Sequence, residues 1–155
     1  MAFLDQMRRL FAGTQPLDEA AAPGAPARVR VATCVLLMEV AKTDDGFSDA
    51  ERGRVVETLR ERFDLSEAEA NELMVLSATE RGERNDLWYF THAINEQCTV
   101  PEKRSIMEEL WRIIYADGTL HSHEDYLAHK LARLLNLTHP QMIEAKLKVK
   151  QELDH

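Results

Sequence analysis

Four times along this chain a Ser or Thr is followed three residues later by Glu or Gln: Ser48 with Glu51, Ser66 with Glu69, Thr99 with Glu102, and Thr138 with Gln141. Each pair can satisfy two orphan backbone N–H groups reciprocally at a helix start. Pro101 and Pro140 fall in first turns, where a missing N–H costs little. The spacing predicts helices at about 28–43, 48–63, 66–78, 86–97, 99–116, 122–135 and 138–152. That leaves no room for strands. The expected fold is all-α, a single bundle of about seven helices.

The 155 residues, 45% hydrophobic, suffice for one core and are too few for two comfortable domains. Residues 1–12, "MAFLDQMRRLFA", place Phe3, Leu4, Met7, Leu10 and Phe11 on one helical face beside Arg8 and Arg9, forming an amphipathic arm. Residues 13–27 are rich in Pro, Gly and Ala and read as a linker. The helical domain is expected over 28–152. Its first helix, "VRVATCVLLMEVA", is apolar on nearly every side, as befits a central post, and the helix carrying Ile106, Leu110, Ile113 and Ile114 should pack against it.

An internal repeat appears when Asp44 is set on Asp117. Leu37 then meets Leu110, Val40 meets Ile113, Phe47 meets Leu120 and Glu51 meets Glu124; past one deleted residue, Asp64-Leu65-Ser66 meets Asn136-Leu137-Thr138. Two related helical hairpin units follow from this, packed about a pseudo-twofold axis. Each unit has a corner with Asp near the C-terminal end of one helix and Glu seven residues later in the next. Gly46 and Gly118 can supply the left-handed exit.

Glu51 and Glu124 suit helix N-termini, whereas Asp at a helix C-terminus is opposed by the dipole at about 0.3–1 kcal/mol. A bound cation would compensate, and carboxylates are the usual ligands of Ca2+ and Mg2+. The half-loop from Asp117 to Glu124 matches positions 5 to 12 of an EF-hand, but Ile113 and Tyr115 stand where that loop needs its first oxygen ligands. It is not an EF-hand. The competing reading makes these residues caps: Glu51 closes a box with Ser48, Glu124 does similar work near Ser122, and Asp44 and Asp117 bind turn amides. Both readings stand at this point.

Zinc fits less well than Ca2+ or Mg2+. His123 and His129 are six apart on different helical faces and His121 lies in the corner, so no H-E-x-x-H pair forms. Glu39, in the apolar first helix, needs a cation partner, and Arg112, its repeat equivalent, is one. Trp88, Tyr89, Phe90 and Trp111 read as core. Cys34 lies in an apolar stretch and should be inert. No P-loop, G-x-G-x-x-G motif or nucleophile with a base is present, so no catalytic residue is assigned and a non-enzymatic protein is expected.

The formal charge of −8 opposes nucleic acid and anionic membranes as global partners. With two cysteines, no secretory pattern and no spanning run, the cytoplasm is expected, with a peripheral place at the inner face of the membrane open to the arm. Through residues 1–12 the arm could equally join copies into a homo-oligomer.

The segments "LLMEVAKTDDGFSDAE", "FDLSEAEANEL" and "RSIMEELWRIIYADGTLHSHEDYLAHKLARLLNLTHPQMIEAK" resemble the TerB-like family of tellurite-resistance-associated bacterial proteins, in its stand-alone branch, from about Val31 to Lys148. The resemblance implies an all-helical domain of two related units. It further implies divalent-metal binding through acidic corners matching Asp44, Glu51, Asp117 and Glu124, and a place in stress-response or membrane-linked assemblies with a protein partner. The first corner departs from the second in carrying Asp44-Asp45-Gly46, so Asp44 or Asp45 is the ligand implied there. The alternative function is a metal-free adaptor in which the corners are only caps.

Overall fold

The computed structural model describes residues 25–42, 48–117 and 122–153. Among these it has seven α-helices, one 3-10 turn and no strand: α1 (Ala25–Ala41), α2 (Asp49–Phe63), α3 (Glu67–Gly82), α4 (Trp88–Gln97), α5 (Val100–Ile114), the 3-10 turn Tyr115–Asp117, α6 (Ser122–Leu134) and α7 (His139–Leu153). The amphipathic arm, most of the linker and the tips of both corners lie outside the described residues.

All four anticipated boxes close. Ser48, Ser66, Thr99 and Thr138 accept from the N–H three residues on, and the Glu or Gln there accepts from the cap's own N–H. Helix α1 starts at Ala25, with Pro26 in its first turn. Helix α3 runs a full turn past the expected stop, to Gly82.

Helix α1 is the central post, packed by α2, α3, α4, α5 and α6. From Val31 to Leu37 every residue is at most 1% exposed. Helix α5 lies against it with Ile106, Met107, Leu110 and Trp111 fully buried. The repeat is visible in the packing. Helix α3 lies on α1 as α7 lies on α5, while α2 reaches across to α5 and α6 reaches back to α1. Helix α4, between the units, fills the space against α1 and α6.

The same symmetry sets the second corner of each unit. Among the described residues, Asp64 and Asn136 are the two non-glycine residues with positive φ, at 54° and 59°. Beyond each, a buried Leu sends its N–H back five residues, Leu65 to the Arg60 carbonyl (3.2 Å) and Leu137 to the Ala132 carbonyl (3.0 Å). This is the helix exit in which a left-handed residue lets orphan carbonyls be satisfied while a following apolar residue folds onto the core.

Two expectations fail. Glu39 is not paired with Arg112: its carboxylate accepts from Arg81 Nε at 2.7 Å and lies 3.6 Å from Lys42 Nζ. Arg112 instead makes a two-pronged bond to Glu152 (2.9 and 2.8 Å) and sits beside Glu108 and Glu109. Each position thus ties its helix to the third helix of its own unit, with the charges exchanged between units. Trp88 is not core. It is 56% exposed and stacks on His92 at 4.5 Å, whereas Phe90 and Trp111 are buried and Tyr89 is half-buried under Arg84.

Candidate functional site

Both acidic corners are built by the exit of a post helix and the entry of the next one. At the first, α1 ends at Ala41, with the Lys42 N–H still bonded to the Met38 carbonyl (3.1 Å), and α2 opens on the Ser48 cap. Glu51 is the third residue of α2. Its Oε1 accepts from the Ser48 N–H at 2.9 Å, and its own N–H donates to Ser48 Oγ at 3.1 Å. One carboxylate oxygen is therefore committed to the cap. Asp44 and Asp45 lie outside the described residues.

The second corner leaves α5 through the 3-10 turn Tyr115–Asp117 and enters α6 at Ser122. Glu124 is the third residue of α6, the same station Glu51 holds in α2, and is half-buried. The backbone of Asp117 closes the 3-10 turn; its side chain lies outside the description, as do residues 118–121 with His121. Both Glu side chains stand at a helix N-terminus, where the dipole favours negative charge.

The described part of the corners thus brings two carboxylates to equivalent places and leaves Asp44, Asp45 and Asp117 to complete any ligand set. Among the described residues no group of three or more His, Cys, Asp or Glu is arranged to hold a metal. The donor chemistry is nonetheless uniform. All five candidates are carboxylates, hard oxygen donors that fit Ca2+ or Mg2+ and lack the thiolate or imidazole typical of zinc. Of the described histidines, His123 alone stands in a corner, beside Glu124 in the first turn of α6. His123 is exposed, and His129 has Asp125 at 3.5 Å and the His139 ring at 5.8 Å.

The thiols show no activation. Cys34 is fully buried, and burial pushes its pKa up to about 12. Ser77 opposes this by its proximity, although its hydroxyl falls short of a hydrogen bond. Cys98 is also pushed up, by burial first and by Glu102 second. Neither resembles a nucleophile poised by a cation.

Sequence reasoning missed Arg81 as the partner of Glu39, and with it a cavity between α1 and α3. The signal lay in residues 79–82, which contain no helix breaker before Gly82 and so carry Arg81 one turn further along α3.

No helix among the described residues is long and apolar enough to cross a membrane. No curated protein and no solved structure matches the chain. The family model for tellurite resistance protein TerB matches residues 30–147, from the first turns of α1 into α7 and across both corners. A match over that much of an all-helical chain, two units and the helix between them included, places this protein in the TerB family.

Proposed function

We propose that this is a non-enzymatic domain of the tellurite-resistance type that takes up a divalent cation, Ca2+ or Mg2+ in preference to Zn2+, at one or both acidic corners. It would present its acidic helical surface to a protein partner in the cytoplasm or at the inner face of the membrane. The observation that carries this reading is the equivalence of Glu51 and Glu124, third residues of α2 and α6, each seven residues after an Asp that follows a post helix. Duplicated carboxylates at duplicated corners are what a cation site copied with its unit would leave.

The capping of Ser48 by Glu51 favours a second reading, a metal-free adaptor, because it gives that carboxylate a purely structural role. One substitution separates the two. Gln141 closes the same box with Thr138 through its amide oxygen, at 2.8 Å, so Glu51→Gln keeps the cap and removes the charge.

The test is a calorimetric titration of chelator-stripped protein with Ca2+, Mg2+, Mn2+ and Zn2+, repeated on Glu51→Gln, Asp117→Ala and Glu124→Gln. Saturable binding that is lost or weakened in the variants while their melting temperatures without cation hold is the expected result. An ion at a hundredfold its Kd adds about 2.7 kcal/mol. That is roughly 5–10 °C in melting temperature for a domain of this size. If no ion binds and Glu51→Gln behaves as wild type, the corners are caps.

A further inference from the structure

Between α1 and α3 lies a cavity of ≈ 200 Å3 lined by Val35, Met38, Glu39 and Lys42 from one helix and by Ser77, Ala78, Arg81 and Gly82 from the other. Val35 and Ser77 form its inner wall and are buried. At its mouth the Glu39 carboxylate, 16% exposed, bridges Arg81 and Lys42. Two cations there meet one carboxylate.

The repeat explains why the space is open. Extending the register that pairs Leu37 with Leu110 places Met38 on Trp111 and Lys42 on Tyr115; past the deleted residue, Ser77 falls on Val149 and Ala78 on Lys150. In the second unit the groove between α5 and α7 is filled from within. Trp111 is fully buried and Tyr115 packs against the core with its ring 5.9 Å from that of Trp111, close enough to Lys150 for the lysine's charge to act on the phenol. The first unit keeps the groove but lacks both rings. In their place it has a thioether, an extended ammonium, and an inner wall where a serine hydroxyl replaces valine and makes no hydrogen bond.

We propose that this cavity binds a small monocyclic aromatic carboxylate, with the ring between Met38 and Val35 where the second unit houses its own aromatic group, and the carboxylate at the Lys42 and Arg81 mouth. Size sets the ring count. A cavity of about 150 Å3 accepts benzene, whereas drug-sized ligands need about 300 Å3 or more. Charge sets the substituent, since at the mouth two cations, Lys42 and Arg81, share the single Glu39 carboxylate. The site adjoins the first acidic corner through Lys42 but uses none of the five corner carboxylates, so it is tested apart from cation binding.

Benzoate is the probe, followed by saturation-transfer NMR on the ligand and by the methyl resonance of Met38 in methionine-labelled full-length protein. Saturable binding with a ring-current shift of the Met38 methyl is expected. Lys42→Tyr, which copies the second unit, and Ala78→Phe, which fills the mouth from α3, should each weaken binding by about tenfold or more while leaving the melting temperature unchanged or raised. Both positions are exposed, so neither variant is at risk of failing to fold. Benzylamine, the same ring with the opposite charge, should bind at least about tenfold more weakly. The proposal is overturned if benzoate binding does not saturate, if both filled variants bind it as wild type does, or if benzylamine binds more tightly than benzoate.

Discussion

Cys34 shows how completely the centre of α1 is sealed. Its thiol sits on a helix whose neighbouring positions are all buried, with Met38 Sδ 3.8 Å away, and removal from water raises its pKa from 9.0 to about 12. The unfolded chain releases this proton near pH 9, but the folded chain holds it to a much higher pH. Between those limits the native state binds more protons than the unfolded state, so stability falls as pH rises. Below pH 9 the contribution is fully present. The slope assignable to one such group is about 1.4 kcal/mol per pH unit. Urea unfolding of wild type and Cys34→Ala at about pH 8 and about pH 10 isolates it, because the other basic-range groups are common to both proteins. The variant will be less stable at the lower pH, having lost buried volume, yet will lose less on going to the higher one. Equal losses would mean the thiol is reached by water.

At the scale of elements, the exits from α2 and α6 show the chain using Asp and Asn where glycine would be easiest. Asp64 and Asn136 hold the left-handed region, which Asp and Asn enter more readily than other non-glycine residues; alanine does so at a penalty of about 1–2 kcal/mol. Asp64→Ala and Asn136→Ala should therefore each lower unfolding free energy by about 1 kcal/mol, with the glycine variants nearer wild type. Urea midpoints decide it, and an alanine variant as stable as wild type would remove conformation as the reason for these residues. The sequence shows the two positions as equivalents in the repeat and places a helix start just after each, but not their left-handed backbone, which it assigned to Gly46 and Gly118. The four boxes, the Asp64/Asn136 register and the buried face of α5 all depend on local spacing. Pairings between helices do not. Nothing local says which cation Glu39 meets, since that depends on the length of α3 and on how it lies along α1. Trp88 was misplaced for a subtler reason: Leu87, Phe90, Thr91 and Ile94 already form the buried stripe of α4 at helical spacing, and Trp88 falls off it. Glu51 and Glu124 were legible as first-turn residues, but a ligand set also needs the relative placement of Asp44, Asp45 and Asp117, which spacing leaves open.

For the molecule as a whole, the duplication raises the question of whether each unit is a domain. The packing argues that it is not. A helix buried on every side needs neighbours on every side, and α2 and α3 cover only part of α1; the rest is covered by α4, α5 and α6, all downstream of the first unit. Cutting the chain between α3 and α4 would expose apolar surface on Val31, Leu36, Leu37 and their neighbours, at roughly 25 cal/mol for each Å2 returned to water. Against a whole-domain stability of only about 5–15 kcal/mol, no single unit can absorb that loss. A fragment of residues 25–86 should then show little helix by circular dichroism and no cooperative thermal transition, and mixing it with 87–153 should restore both. If the fragment melts cooperatively alone, the crosswise contacts of α2 with α5 and α6 with α1 are incidental and the two units are self-sufficient. If it folds only in the mixture, the duplicated corners belong to one cooperative body, and a ligand taken up in either unit stabilises both.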